Sequence, residues 1–414
     1  MTKRPSPWLY IPTLYFVEGL PYVLVNTVSV YLFKSFGLSN RFIGLASVLM
    51  LPWTFKPLWA PTVDIYATKR SWTLIMQAVL GVCFIGVAVA LHMPMMVTAL
   101  VMLLFLSAFA SATHDIAADG YYLLALDAKN QAFFVGIRST AYRIAMLAGG
   151  TVAAFAGLLE RFSGSLKFSW SAAYAGMGLL FIVAALFHSS YLPKPESTTT
   201  TRNDESLPFL KAFTSYFKQR RIVIVVLFIL LYRLGEAMLS RMAVPFLLDS
   251  REVGGLGFTT ATASLMRDIV GQSGMIVGGI LGGWLVSKYG LRKCIFPMAL
   301  ALNVPDLGYW YLAVTQPGPA AALPIIVIEQ FGYGLGFTSF MVFLMTAAQG
   351  RFKTSHYAVS TGFMALGLML PSMVSGYLQS LLGYRSFFFL VLVLTIPGFI
   401  LLKFIPLPED SRRS

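Results

Sequence analysis

The sequence predicts an all-α polytopic membrane protein of twelve spans, built as two six-helix halves. Three observations predict it. Apolar residues make up 57% of the 414 and charged residues only 12%, about half the roughly 25% charged share of soluble domains. A soluble fold this apolar could not cover its own core. Apolar runs recur along the whole chain, each near the roughly 20 residues that cross about 30 Å of hydrocarbon. One polar, Pro-containing, basic stretch, YLPKPESTTTTRNDESLPFLKAFTSYFKQRR at 191–221, interrupts them.

The first half, 1–190, carries spans at about 9–34, 41–63, 72–92, 95–124, 131–159 and 169–190. Lys3 and Arg4 before an apolar segment look at first like a signal peptide. The segment is long, and Glu18, Pro21 and Asn26 interrupt it, so it reads as a retained first span. The linker, 191–221, contains SLPFLKAFTSYFKQ, whose helical apolar spacing predicts an amphipathic helix on the membrane surface. The second half, 222–414, carries spans at about 222–248, 259–287, 291–314, 322–349, 355–382 and 385–405.

Loop charge sets the orientation. With the N-terminus cytoplasmic, 19 of the 31 Lys and Arg residues fall in cytoplasmic loops, 6 in outer loops and 6 inside spans. The bias predicts that both termini and the linker are cytoplasmic. It also accounts for the net charge of +14 without nucleic acid. Six spans, a long cytoplasmic linker and six more is the layout of major facilitator transporters, whose halves are related by a pseudo-two-fold axis along the membrane normal. GGILGGWLVSKYGLRKC at 278–294 resembles that superfamily's cytoplasmic loop signature, with Lys288 and Arg292 in its basic cluster. The equivalent stretch of the first half, LWAPTVDIYATKRS, keeps Asp64, Lys69 and Arg70 without the glycines.

Other classes lack their signatures. Cys83 and Cys294 fall on different spans and give no disulfide or metal spacing. HExxH, GxSxG and a Gly-rich phosphate loop are absent, and the four His are not spaced for metal ligation. The expectation is no enzyme, no cofactor, no metal, and a proton gradient rather than ATP as energy source. Asp115 and Asp119 share one helix, whereas an aspartyl protease needs its carboxylates on facing helices. A sensor in the same fold would need an output domain, and nothing resembling one is attached.

Ionisable groups at bilayer depth cost at least about 2.5–3.5 kcal/mol each, so they face the bundle interior and find partners. The basic set is Lys56, Arg138, Arg143, Arg233, Arg241 and Arg267. The acidic set is Glu18, Asp115, Asp119, Glu236, Asp268, Asp306 and Glu329. Asp115 and Asp119, at i, i+4, share a face near the cytoplasmic end of the fourth span. With Lys56 and Arg138 at similar depth they predict a cytoplasmic-side network, and with Asp64, Lys288 and Arg292 a set of gate and loop residues. Glu18, beside Gly19 and Pro21 and with no basic neighbour on its helix, is the leading candidate for proton or substrate handling, followed by Asp115 and Asp119. Arg233 and Glu236, at i, i+3, read as a structural pair or gate latch. Asp306 follows Pro305 and is expected to serve freed backbone N–H groups. His114 reads as a packing residue. Tyr22, Tyr122 and Tyr142 are candidates to face a sugar ring. Arg143, Arg233, Arg241 and Lys56 would give an interior that accepts an anionic group.

GLP at 19–21, FKPLWAPTVD at 55–64, HDIAADGYY at 114–122, YRIAMLAGG at 142–150, YRLGEAM at 232–238 and EQFGYGLGFTSFMVFLM at 329–345 resemble the AmpG-type muropeptide permeases. These lie in the same order across both halves. Parts of the pattern are shared with acetyl-coenzyme A transporters. The resemblance implies proton-driven import of anhydro-muropeptides or related anionic sugar derivatives into a bacterium by a multi-pass, monomeric inner-membrane protein. It assigns Asp115, Asp119, Arg143, Arg233, Glu236 and Glu329 to the family's motif positions and makes Arg143, Arg233, Glu236 and Glu329 candidates for binding the substrate. His114 stands where the family has Gln, and Glu18 where it has a small residue. Some members carry further C-terminal spans. An acyl-coenzyme A or a carboxylate siderophore is the alternative cargo.

Overall fold

The computed structural model describes residues 5–194, 214–219, 221–348 and 353–407. The expected amphipathic helix at 206–219 lies mostly outside these. Only its end is described, as one helical turn at 214–217. All elements among the described residues are helical. Among the described residues nine helices are long and apolar enough to cross a membrane, one of them running through two segments, and the helical segments follow in order: α1 (Pro7–Ser35), α2 (40–65), α3 (Lys69–Ala90), α4 (Met96–Ala125), α5 (Ala128–Ser163), α6 (Leu166–Tyr191), α7 (Ile222–Leu248), α8 (Thr260–Tyr289), α9 (291–315), α10 (Pro319–Ala347), α11 (353–382) and α12 (384–402). Helix runs through the last two, and Gly383, with φ 70° and ψ 166°, breaks it. No residue with a Cβ adopts that conformation readily.

The ends follow local chemistry. The Asp127 side chain accepts from the N–H of Asn130 at 2.8 Å and caps α5, and Gly164 in the left-handed region closes it. These caps carry α5 to 128–163, beyond the expected 131–159 at both ends. Several spans expected to be continuous are broken, α2 and α9 among them. α2 alternates short α and 3₁₀ pieces at 46–50 and 56–58, with Pro52, Pro57 and Pro61 each at the start of a piece. Proline removes an N–H and clashes with the preceding turn. α9 breaks at Val304–Pro305 for the same reason. α1 and α8 carry π-helical turns at Leu24–Val28 and Leu265–Gly271, the first just after Pro21, the second holding Arg267 and Asp268.

The chain divides into two compact units: Met1–Phe36 with Leu49–Arg202, and Gly37–Val48 with Asn203–Ser414. In the first unit, α1 approaches α5 closely at Gly19, where an added Cβ would sit 2.8 Å from that of Ala145. Buried Tyr10, Leu14, Tyr15, Tyr121, Tyr122 and Phe134 pack beside this seam. In the second unit, α10 lies against α8 and α9 through glycines. A Cβ on Gly332 would strike the Ala301 carbonyl, and one on Gly334 the Met275 carbonyl. Phe228, Tyr232, Phe340 and Phe343 pack together in the second unit's core. Large apolar side chains such as Phe162, Leu186, Val223 and Ile280 are exposed, as lipid-facing positions require.

Candidate functional site

In the first unit, among the described residues, Lys56 and Asp115 and also Arg138 and Asp119 form ion pairs, and the two pairs act on each other through Lys56, Asp115 and Asp119. The Lys56 ammonium lies 3.5 Å from Asp115 Oδ2. Arg138 Nη1 lies 2.8 Å from Asp119 Oδ1 and donates to the Tyr15 hydroxyl at 2.7 Å, which in turn donates to Asp119 at 2.8 Å. The guanidinium also rests over the rings of Tyr15 and Tyr122, at 5.0 and 4.8 Å. Lys56 reaches Asp115 from the 3₁₀ turn that Pro57 helps to impose on α2. The i, i+4 spacing of the two aspartates gives each its own cation, on α2 and on α5.

Glu18 is buried on α1, and its Oε2 has no hydrogen-bond partner among the described residues. Asp115, Asp119, Lys56 and Arg138 all act on it electrostatically, yet it makes no ion pair among the described contacts. Gly19 is what lets this stretch of α1 press against α5 at Tyr142. Tyr142 lies within the field of Glu18, Asp115 and Tyr22, and the Tyr22 ring packs edge-on to Trp53 at 5.3 Å. Arg143 is exposed and joins neither ion pair. The Asp64 side chain lies outside the description.

In the second unit, Arg233 and Glu236 are paired through two bonds, at 3.0 and 2.9 Å, and both are buried. Arg233 also donates to the Tyr333 hydroxyl at 2.6 Å and lies over the Tyr333 and Phe337 rings. α7 breaks at Tyr232–Arg233, and Gly235 allows it to meet the α12 backbone at Val391. Glu329 is buried and accepts from Gln330 at 3.0 and 3.3 Å. Arg267 donates to the Tyr309 hydroxyl at 3.0 Å. Lys288 lies over the rings of Trp284 and Tyr289. Arg292 lines a cavity of about 730 Å³ with Arg221 and Lys403.

The sequence profile of the Major Facilitator Superfamily matches residues 13–374. The chain belongs to this superfamily. The likeness to AmpG-type proteins seen in the motifs extends along the chain. The anhydromuropeptide permease of Escherichia coli K12 is 24% identical over 392 residues, covering 94% of this chain and 77% of the permease. A Rickettsia conorii protein named AmpG 4 is 23% identical over 402 residues, covering 94% of each. Among solved structures, a D-xylose-proton symporter superposes with TM-score 0.73 at 14% identity, over 96% of this chain and 97% of that one. The nucleoside transporter NupG does so with TM-score 0.68 at 18% identity, over 95% and 96%. This facilitator is therefore a multi-pass secondary transporter with a small-molecule substrate, and its AmpG relatives indicate a bacterial inner membrane.

Three arrangements in this transporter escaped sequence reasoning. His114 is buried, as a packing residue should be, but it is not alone. It meets Gln77 at 3.0 Å, Gln77 meets His188 at 2.9 Å, and His188 meets Thr13 at 3.0 Å, so one polar chain ties α4, α3, α6 and α1. Arg241, expected to face an anionic solute, donates to the Ile43 carbonyl at 2.8 Å. Asn40 donates to Asp249, Gln379 and Tyr384 at 3.0, 2.8 and 2.9 Å. Only the last had a usable signal, since Asn and Asp flank predicted span ends there. The others depend on which faces meet in space.

Proposed function

We propose that the protein is a proton-coupled symporter, with both termini cytoplasmic, that imports peptidoglycan-derived anhydro-muropeptides or related anionic sugar derivatives by alternating access. The observation that carries this reading is Glu18. It is a buried carboxyl with one unpartnered oxygen, set in the field of two ion pairs whose cations each already hold an aspartate. Such a group can take and release a proton without the large cost of leaving a bare charge in the bilayer, because nearby Lys56 and Arg138 can rearrange toward it. Asp119 is half exposed and Arg138 partly so, so their pair can open at low cost. The rings of Tyr22, Tyr122 and Tyr142 supply aromatic surface for a sugar face. The naming of the E. coli relative as an anhydromuropeptide permease supports the cargo class, and the excess of loop Lys and Arg supports the orientation.

The test is uptake of labelled anhydro-disaccharide into proteoliposomes under an imposed pH gradient. The proposal predicts accumulation that a protonophore collapses. No uptake of this sugar, together with transport of an acyl-coenzyme A or a carboxylate siderophore, would replace the cargo assignment with that alternative.

A further inference from the structure

One acid in the second unit has no part in the contacts above. Asp306 is the first residue of the α9 segment that follows Pro305. It is 0% exposed, and neither carboxyl oxygen has a hydrogen-bond partner among the described residues. It does not serve the backbone freed by Pro305, as the sequence suggested. The N–H groups of Leu307 and Gly308 go to the carbonyls of Val304 and Pro305, at 3.1 and 2.8 Å.

The surroundings are unfavourable to a charge. Glu329 on α10 and Glu236 on α7 are the charged groups that act on Asp306. Arg233 on α7 is engaged by Glu236 and Tyr333. Arg267 on α8 donates to Tyr309 and acts on Glu329. α12 presents Phe388, whose ring packs on Tyr309 at 5.4 Å. A bare carboxylate here would face two like charges and no donor, at a cost above the roughly 2.5–3.5 kcal/mol of a single intramembrane charge. The start of a helix offsets at most about 2 kcal/mol of that. The neutral acid is the form this site accommodates. Tyr309, three residues on and so on the same face, stands within the field of both Asp306 and Arg267. It marks the route by which a cation could reach the carboxylate once the proton leaves.

We propose that Asp306 is a proton-binding site of the second half, separate from Glu18, loaded in the arrangement described here and emptied to water when Arg267 moves from Tyr309 toward it. The step is a simple ionisation: the carboxyl O–H breaks, the proton passes to water, and Arg267 balances the charge left behind. This rests on the proton-coupling reading above, so one readout is chosen that needs no substrate. Infrared spectra of the purified protein at neutral pH should show a carboxylic-acid carbonyl band that Asp306→Asn removes, that Asp306→Glu shifts, and that fades as the medium is made alkaline. In proteoliposomes Asp306→Asn should lose proton-driven accumulation, and Asp306→Glu should restore part of it, with thermal midpoints near that of the parent. A band identical in parent and Asp306→Asn overturns the proposal, because Asp306 is then ionised. So does a band that never titrates over the range in which the protein stays folded, or one lost in Asp306→Asn with accumulation intact, because the acid is then a fixed structural group. If no sugar is transported by any form, the cargo assignment fails, and the titration of the band still decides for Asp306.

Discussion

At the scale of single residues, exposure separates two kinds of ion pair. The Arg233 and Glu236 side chains are 7% and 4% exposed, and removing one partner of such a buried pair costs about 3–5 kcal/mol. Arg138 and Asp119 are 30% and 51% exposed, where a pair is worth about 0–1 kcal/mol. The first pair is therefore suited to hold structure and the second to break during a cycle. Glu18 belongs with the second, since among the described contacts no cation is paired with it. A gradient of one pH unit supplies about 1.4 kcal/mol, enough for roughly tenfold accumulation at one proton per solute. Glu18→Gln keeps the shape and removes the proton, so uptake should persist downhill while accumulation falls from as much as about tenfold to equilibration. Accumulation at the parental level in vesicles of the variant would remove Glu18 from the coupling path. The two aspartates were legible because i, i+4 spacing fixes a shared face whatever the tertiary fold. The use of Arg241 was not, because its partner is a backbone carbonyl of Ile43, and any sequence supplies carbonyls everywhere.

At the scale of elements, proline and glycine explain most departures from simple spans. Pro57 turns the α2 backbone into a 3₁₀ step at Lys56, and Pro305 splits α9 beside Asp306. Hydropathy placed both spans within a few residues but could not show the breaks, because a broken crossing is as apolar as a straight one. The glycines of EQFGYGLG on α10 were read as a motif, and their packing role came only with the neighbouring backbones. Gly334→Val would drive a branched side chain into the Met275 carbonyl on α8. Overpacking of this kind costs at least about 1–3 kcal/mol, so the variant should show a lowered thermal midpoint in detergent. Gly283, with nothing within 4 Å of an added Cβ, should tolerate Ala with little change. Equal stability of Gly334→Val and Gly283→Ala would mean that α8 and α10 do not approach as described.

At the scale of the whole molecule, class and span number were readable from composition and run length, since a bilayer imposes both. The grouping of Gly37–Val48 with the second unit was not readable, because it depends on Gly44 and Gly376 meeting the backbones of α11 and α2. The central claim concerns the molecule as a machine: inward movement of one anionic sugar is tied to inward movement of protons. It is tested most directly with lightly buffered proteoliposomes at equal pH on both sides. Anhydro-muropeptide is added outside, and the external pH and sugar uptake are recorded together. Coupled import predicts that the outside turns alkaline in step with uptake and that Glu18→Gln abolishes the pH change. Uptake at the parental rate with a flat external pH would contradict the account.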